Sequence, residues 1–309
     1  MKTTRVIKAI LSNYESDCPG TKTNLARILM HGKLAGTGKM VILPVDQGFE
    51  HGPDRSFAVN PASYDPLYHY SIAVEAGLNA YAAPLGMLEM GSASFAGSIP
   101  TILKMNSSNS LMSGEDDPDQ AIYGSISDAL RLGCSAVGFT LYPGSKYSLD
   151  MMEEVSCLAQ EAKAVGLAVV IWSYPRGGNL TKQGETAFDV CAYAAHMACL
   201  LGAHIVKVKL PTDHLEQSES KKAHEKEKIP NSTQAERVSH IKKACFNGKR
   251  LVVFSGGTSK DIKSLYDDAG AIRDGGGNGS IIGRNTFQRP RNEALQMLSN
   301  LIEIYKGRY

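Results

Sequence analysis

The stretch His204-Ile205-Val206-Lys207-Val208-Lys209-Leu210 decides how the whole chain is read. Apolar and β-branched residues dominate it and alternate with period 2, which is the pattern of a β-strand. On that period Ile205, Lys207 and Lys209 share one face, and Val206, Val208 and Leu210 share the other. The apolar face suits packing beneath covering helices. The opposite face then carries two lysines toward an interior, roughly 6.5–7 Å apart along the strand. Interior lysines are costly unless they are paired or used. Two arrangements satisfy that condition. Either both lysines sit at a strand end against carboxylates, or one is a Schiff-base nucleophile whose pKa is lowered by burial and by a cationic neighbour.

Working outward, the same strand-then-helix alternation recurs along the chain. Strands are expected at Val41–Val45, Asn79–Pro84, Pro100–Met105, Ala136–Tyr142, Ala168–Trp172, His204–Leu210, Arg250–Phe254 and Gly279–Ile282. Helices are expected at Tyr64–Ala76, Asp117–Leu132 (Asp117 as N-cap, Pro118 at the first position), Leu149–Ala164, Glu185–Leu201, Gln234–Ala244, Lys260–Asp274 and Asn292–Lys306. Residues 54–63 read as loop. Eight strands alternating with helices predict an α/β fold, a (β/α)8 TIM barrel in a single domain spanning 1–309. It carries an N-terminal helical extension over 1–40, where Asn24 is a candidate N-cap, and a polar, solvated insertion after strand six, over 212–233. A doubly wound open sheet is the alternative. No G-x-G-x-x-G follows the first strand, which weakens its dinucleotide-binding form.

Composition narrows the function. The 309 residues carry 33 Lys and Arg against 31 Asp and Glu. That balance gives no basis for binding nucleic acid or an anionic membrane surface. No apolar run reaches transmembrane length. Lys2, Arg5 and Lys8 interrupt the N-terminal apolar residues, so this segment reads as an amphipathic surface helix rather than a signal peptide. The six cysteines form no C-x-x-C pair, and reduced thiols in a cytoplasmic protein are expected. The eight histidines show no H-x-H or H-x-x-x-H spacing, so no metal site is expected.

In a barrel, the C-terminal ends of the strands converge on one mouth. Those ends supply Asp46, Lys104, Trp172, Tyr174, Lys207, Lys209, Ser255-Gly256-Gly257 and Gly283-Arg284. Trp172 and Tyr174 are two residues apart and share the inward face of strand five, next to the lysines of strand six. The same aromatics also suit ordinary core and rim positions. Glycines after strands seven and eight expose backbone N–H groups ahead of helices, which suits a phosphate better than two plain tight turns do. Asp46 suits either a structural ion pair with a lysine or proton transfer during imine formation. His51 suits either substrate contact or a capped loop.

With these residues in place, the chain resembles the class I fructose-bisphosphate aldolases of the archaeal and bacterial, DhnA-like type. The resemblance runs from Val41 to Arg284. It rests on Pro44-Val45-Asp46-Gln47-Gly48 with Glu50-His51-Gly52-Pro53, Trp172-Ser173-Tyr174-Pro175-Arg176-Gly177-Gly178, Ala203 through Lys209, Ser255-Gly256-Gly257 and Gly283-Arg284-Asn285, taken together and in this order. The resemblance implies Lys207 as the Schiff-base lysine, Tyr174 as proton donor and acceptor, and Asp46 as a substrate-contacting acid. Gln47, His51, Lys104, Trp172, Arg176 and Lys209 would line the sugar phosphate site, with Ser255, Gly256, Gly257, Gly283 and Arg284 around a phosphate. It further implies no metal and no cofactor, phosphorylated ketose and triose phosphates as partners, and a homo-oligomer. The implied reaction is reversible cleavage of fructose 1,6-bisphosphate to dihydroxyacetone phosphate and glyceraldehyde 3-phosphate. The alternative is another Schiff-base aldolase or transferase of the family acting on a different keto-sugar phosphate. Two departures bear on the grip on the distal phosphate: Gln47 stands where many relatives carry His, and the segment 212–233 is longer than in the compact archaeal members.

Overall fold

Eight short runs of small and β-branched residues form the strands β1 (Met40–Pro44), β2 (Ala80–Pro84), β3 (Thr101–Lys104), β4 (Ala136–Leu141), β5 (Ala168–Ser173), β6 (Ile205–Lys209), β7 (Leu251–Ser255) and β8 (Gly279–Ile281). The structure is a computed structural model and describes residues 2–112, 117–256 and 261–309. All eight strands pair in parallel, each with its sequence neighbours, and β8 closes on β1 through Met40 opposite Gly279 and Ile42 opposite Ile281. The result is a (β/α)8 barrel. Its strands are buried on both faces, which is why they read as nearly continuous apolar runs.

Alternation divides the core into two layers. Ile42, Ala82, Ile102, Val170, Trp172, Ile205, Val253 and Ile281 fill the barrel. Val41, Leu43, Val137, Phe139, Val169, Val206, Val208 and Val252 face the helices outside it. The helices Arg5–Leu11 and Pro19–Leu29 insert Ile7, Leu25, Ile28 and Leu29 into the inner layer, closing the N-terminal end of the barrel. They are tied to the lysine strand by His204. Its Nδ1 accepts the N–H of Val169 at 2.8 Å, which leaves Nε2 to donate to Asp17 at 3.0 Å. Tyr14 donates to the carbonyl of His204 at 2.7 Å.

The structure corrects three local expectations. The segment expected as one helix from Asp117 to Leu132 forms a short antiparallel pair, Ala121–Ile122 with Asn106–Ser107, and a helix confined to Ile126–Arg131. Ser125 and Asp128 build a capping box there, and that signal outweighs Asp117-Pro118. Asp117 instead accepts the N–H groups of Lys146 and Gly178. Asn24 lies inside the second helix rather than capping it, and its amide donates to Gly166. Residues 54–63 contain the helix Pro53–Phe57 and a 3₁₀ turn, Pro61–Tyr64. The insertion 212–233 holds a helix, Ser218–Glu227, whose His224 is buried in an edge contact with Phe188. Among the described residues no helix is long and apolar enough to cross a membrane.

Candidate active site

β6 points Ile205 and Lys207 into the barrel and leaves Lys209 at the rim. The Lys207 side chain ends at a mouth cavity of about 340 Å³ and is only 5% exposed. Its ammonium group lies 5.3 Å from the ring centre of Tyr174 and 5.5 Å from that of Trp172. No hydrogen bond or ion pair holds it among the described residues. Burial pulls the Lys207 pKa down to about 8; Asp46 and Glu50 oppose the fall, while Lys104 and Arg284 add to it.

The short helix Gln47–His51 follows β1 and turns Gln47, Glu50 and His51 toward the cavity beside Asp46. That is the i, i+3, i+4 face of a helix. Glu50 accepts from Tyr142 at 3.3 Å and lies 3.9 Å from Arg176, whose guanidinium stacks 5.2 Å above the Tyr142 ring. Burial lowers the His51 pKa, with Glu50 opposing it. Tyr174 continues the inward face of β5, and its backbone N–H still pairs with Leu141. Burial raises its phenol well above the ordinary value, and Asp46 and Glu50 raise it further. Arg176 and a hydrogen bond with Ser255 act the other way. The phenol therefore stays protonated in the free protein.

Lys209 occupies the rim in an ion pair, its amine donating to Glu185 at 2.9 Å. It is thus not the cation that perturbs Lys207. The cations that do are Arg284 and, from β3, Lys104. Its ammonium lies 5.8 Å from the Trp172 ring centre and is bound to Asn106 through both the backbone and the side-chain oxygen. Neither Lys104 nor Trp172 lines the cavity, contrary to the expectation from the sequence; both form the layer beneath it. Gly138 on β4 lets the indole lie there, since a Cβ at this position would come within 2.1 Å of the ring.

At the opposite wall stand Ser255, Gly256, Gly283 and Arg284. The Gly256 N–H is committed to the carbonyl of Ile281 at 3.3 Å, so it does not serve as the expected anion donor. The N–H groups of Gly283 and Arg284 meet no acceptor among the described residues. Gly257 lies outside the described residues. The sequence missed five polar residues that line the cavity: Glu50, Thr140, Lys182, Glu185 and Thr186. Glu50 sits within a quoted motif and shares a helix face with Gln47. Thr140 follows the inward Gly138 by two residues. Lys182 and Glu185 pair locally at 3.0 Å, but nothing local places them at the mouth; the pairing of Glu185 with Lys209 exists only in the fold.

A closed parallel barrel that buries a partly deprotonated amine beside a phenol and a carboxylate has the makings of an imine-forming carbon–carbon lyase. Residues 40–289 match the DeoC/LacD family of aldolases, and the chain belongs to that family. It is 36% identical over 301 residues to a probable class 1 fructose-bisphosphate aldolase of Chlamydia muridarum, covering 91% of this chain and 83% of that one. It superposes on the crystal structure of an archaeal fructose 1,6-bisphosphate aldolase with a TM-score of 0.76 at 32% identity, covering 92% of this chain and 99% of that one. A further archaeal fructose-1,6-bisphosphate aldolase, solved with its catalytic Lys covalently bound to the carbinolamine intermediate, matches with a TM-score of 0.75 at 31% identity, covering 91% and 98%.

Proposed function

We propose that this aldolase cleaves fructose 1,6-bisphosphate through a Schiff base on Lys207. The observation that carries the reading is the Lys207 amine itself, buried at the floor of the cavity, free of hydrogen bonds among the described residues, with a pKa of about 8. At pH 7 roughly a tenth of such a lysine is free amine, against less than about a thousandth for an ordinary one.

The C1 phosphate would sit on the N–H groups of Gly283 and Arg284, with the Arg284 guanidinium beside it. That anchor sets the C2 carbonyl over Lys207. Nζ adds to C2, and loss of water from the carbinolamine leaves an iminium, with Asp46 placed to carry the proton. The iminium is the electron sink. As the C4 hydroxyl loses its proton, the C3–C4 bond breaks, its electron pair enters the enamine, and the aldehyde leaves. Tyr174 is the group in position for that proton. Its raised pKa keeps it a donor in the free enzyme; beside the cationic iminium it passes that proton to the Asp46 carboxylate, and the phenolate so formed takes the proton of the C4 hydroxyl. The same phenol then protonates C3 of the enamine, and water releases dihydroxyacetone phosphate from Lys207. His51, Arg176 and Lys209 would face the remainder of the sugar. Lys104 and Trp172 support the floor rather than touch substrate.

We further propose, from the free cysteines among the described residues and from the resemblance to class I aldolases, a cytoplasmic enzyme acting on ketose and triose phosphates and forming a homo-oligomer. The test is a cleavage assay with fructose 1,6-bisphosphate in the presence of EDTA. Formation of triose phosphates, unchanged by the chelator, supports the reading. Activity lost on chelation and restored by a divalent metal contradicts it.

A further inference from the structure

The cavity has two unlike ends. Gly283 and Arg284 form one. The other is the loop after β5, where Lys182, Glu185 and Thr186 meet Lys209. This loop belongs to neither a strand nor a long helix, so something else must fix it. The polar insertion does so. Glu216 accepts the backbone N–H of Thr181 at 3.1 Å with one carboxylate oxygen and the Thr181 hydroxyl at 3.1 Å with the other. The Thr181 hydroxyl oxygen accepts the N–H of Gly184 at 2.8 Å. Gly184 is bare at the contact, since a Cβ would come within 2.6 Å of the Glu216 carboxyl carbon.

Glu216 is itself held from behind. The buried carboxylate of Asp189 accepts the N–H groups of Glu216 and Gln217 at 3.0 and 2.9 Å. His214 contacts the Glu216 carboxylate at 2.7 Å, and its carbonyl accepts the N–H of Phe188. The N–H of Thr212 donates to the carbonyl of Thr186 at 2.8 Å. The insertion thus grips both ends of the segment that carries Lys182 and Glu185 into the mouth.

We infer that Glu216 is a positioning residue for the distal half of the substrate: by strapping the 181–187 loop to the insertion, it sets the rim cations Lys182 and Lys209, with Glu185 between them, at the distance a second phosphate requires. The inference rests on the aldolase reading above. It separates two tasks that the cavity performs. The Lys207 end forms the imine with any phosphoketone that fits. The strapped end selects for a sugar carrying a phosphate at its far terminus. Glu216 touches no substrate; it acts through the backbone of Thr181 and Gly184. Charge-assisted hydrogen bonds of this kind are stronger than neutral ones, and a displacement of about 1 Å in a positioning element is costly to binding.

The test is borohydride trapping on the full chain with two probes, fructose 1,6-bisphosphate and dihydroxyacetone phosphate. They share the proximal half, and only the first has a distal phosphate. Glu216→Ala is expected to raise the half-saturating concentration of fructose 1,6-bisphosphate by roughly tenfold or more, the scale of losing hydrogen bonds to a charged group. It leaves that of dihydroxyacetone phosphate within about twofold. Glu219→Ala, on the exposed face of the same insertion, changes neither. An equal rise for both probes, or none for the sugar, overturns the inference. Thr181→Val removes the hydroxyl that bridges Glu216 and Gly184 and is read in the same way if Glu216→Ala does not fold. Hydrogen exchange over 181–187 tests the strap without substrate: faster exchange in Glu216→Ala supports it, and unchanged exchange overturns it. If the parent protein traps neither probe, the aldolase reading falls, and the exchange measurement alone judges the strap.

Discussion

Lys104 and Lys207 form a matched pair with one difference. Each stands on the inward face of a barrel strand, each is almost fully buried, each lies within 6 Å of the Trp172 ring centre, and burial brings each down to a pKa of about 8. They differ in their partners. Lys104 is bound to two oxygens of Asn106, whose side chain is in turn fixed to both backbone groups of Thr140. Lys207 has no such partner among the described residues and opens onto the cavity. A depressed pKa alone therefore does not mark a nucleophile. Burial supplies free amine to both, but the Lys104 nitrogen is occupied and below the floor, while the Lys207 nitrogen has room for a carbonyl carbon. Lys104 still acts at a distance, because its charge disfavours an ammonium on Lys207.

Substitutions that break this contrast should fall in a fixed order. Lys207→Ala has the largest effect: cleavage and borohydride-dependent labelling are both abolished, since among the described residues no other amine reaches the cavity floor. Tyr174→Phe comes next. The ring still packs beside Trp172, so binding is largely kept, but kcat falls by roughly 10²- to 10⁴-fold, the contribution of a positioned acid–base group. Because the imine is made by Lys207, the variant still yields a trappable adduct. A near-normal kcat would make Tyr174 a packing residue and Asp46 the first suspect for the proton.

Lys104→Met is smaller and is read against pH. Removing the neighbouring cation raises the Lys207 pKa, so less amine is free at a given pH and the acidic limb of the trapping rate moves to higher pH, by about one unit or less. A limb that stays in place, or moves to lower pH, shows that the two lysines are not electrostatically coupled. Lys209→Ala has the smallest effect on the chemistry. Its amine is paired with Glu185 at the rim, so labelling by dihydroxyacetone phosphate and borohydride survives. Loss of labelling there, with labelling kept in Lys207→Ala, would reverse the roles of the two residues.

Much of this architecture is legible in the sequence because barrel strands are buried on both faces. Runs such as Val169-Val170-Ile171 and Val206-Lys207-Val208 can satisfy their composition in few other ways. The residues immediately after those strands are legible for the same reason: the topology alone gathers Asp46, Tyr174, Lys207 and Arg284 at one mouth. Depth is harder to read. Period 2 places Lys104 and Trp172 on the inward face but does not say that they end beneath the cavity, which depends on how far each strand is staggered against its neighbours. Pairings across long sequence separations are also hidden. Lys209 reads as a companion of Lys207 until Glu185 is found beside it, and Glu216 reads as one more charge in a polar insertion until Thr181 and Gly184 are seen to close on it. The helix expected from Asp117 fails for a local reason, because Ser125 with Asp128 caps a later start more completely than Asp117-Pro118 caps an earlier one.

The most direct measurement is to treat the full chain with dihydroxyacetone phosphate and borohydride, digest it, and locate the reduced adduct by mass spectrometry. The structure predicts a single modified lysine, Lys207, labelled faster as pH rises from 6 toward its pKa of about 8. An adduct on Lys104 or Lys209, or no adduct at all while fructose 1,6-bisphosphate is cleaved, would contradict it.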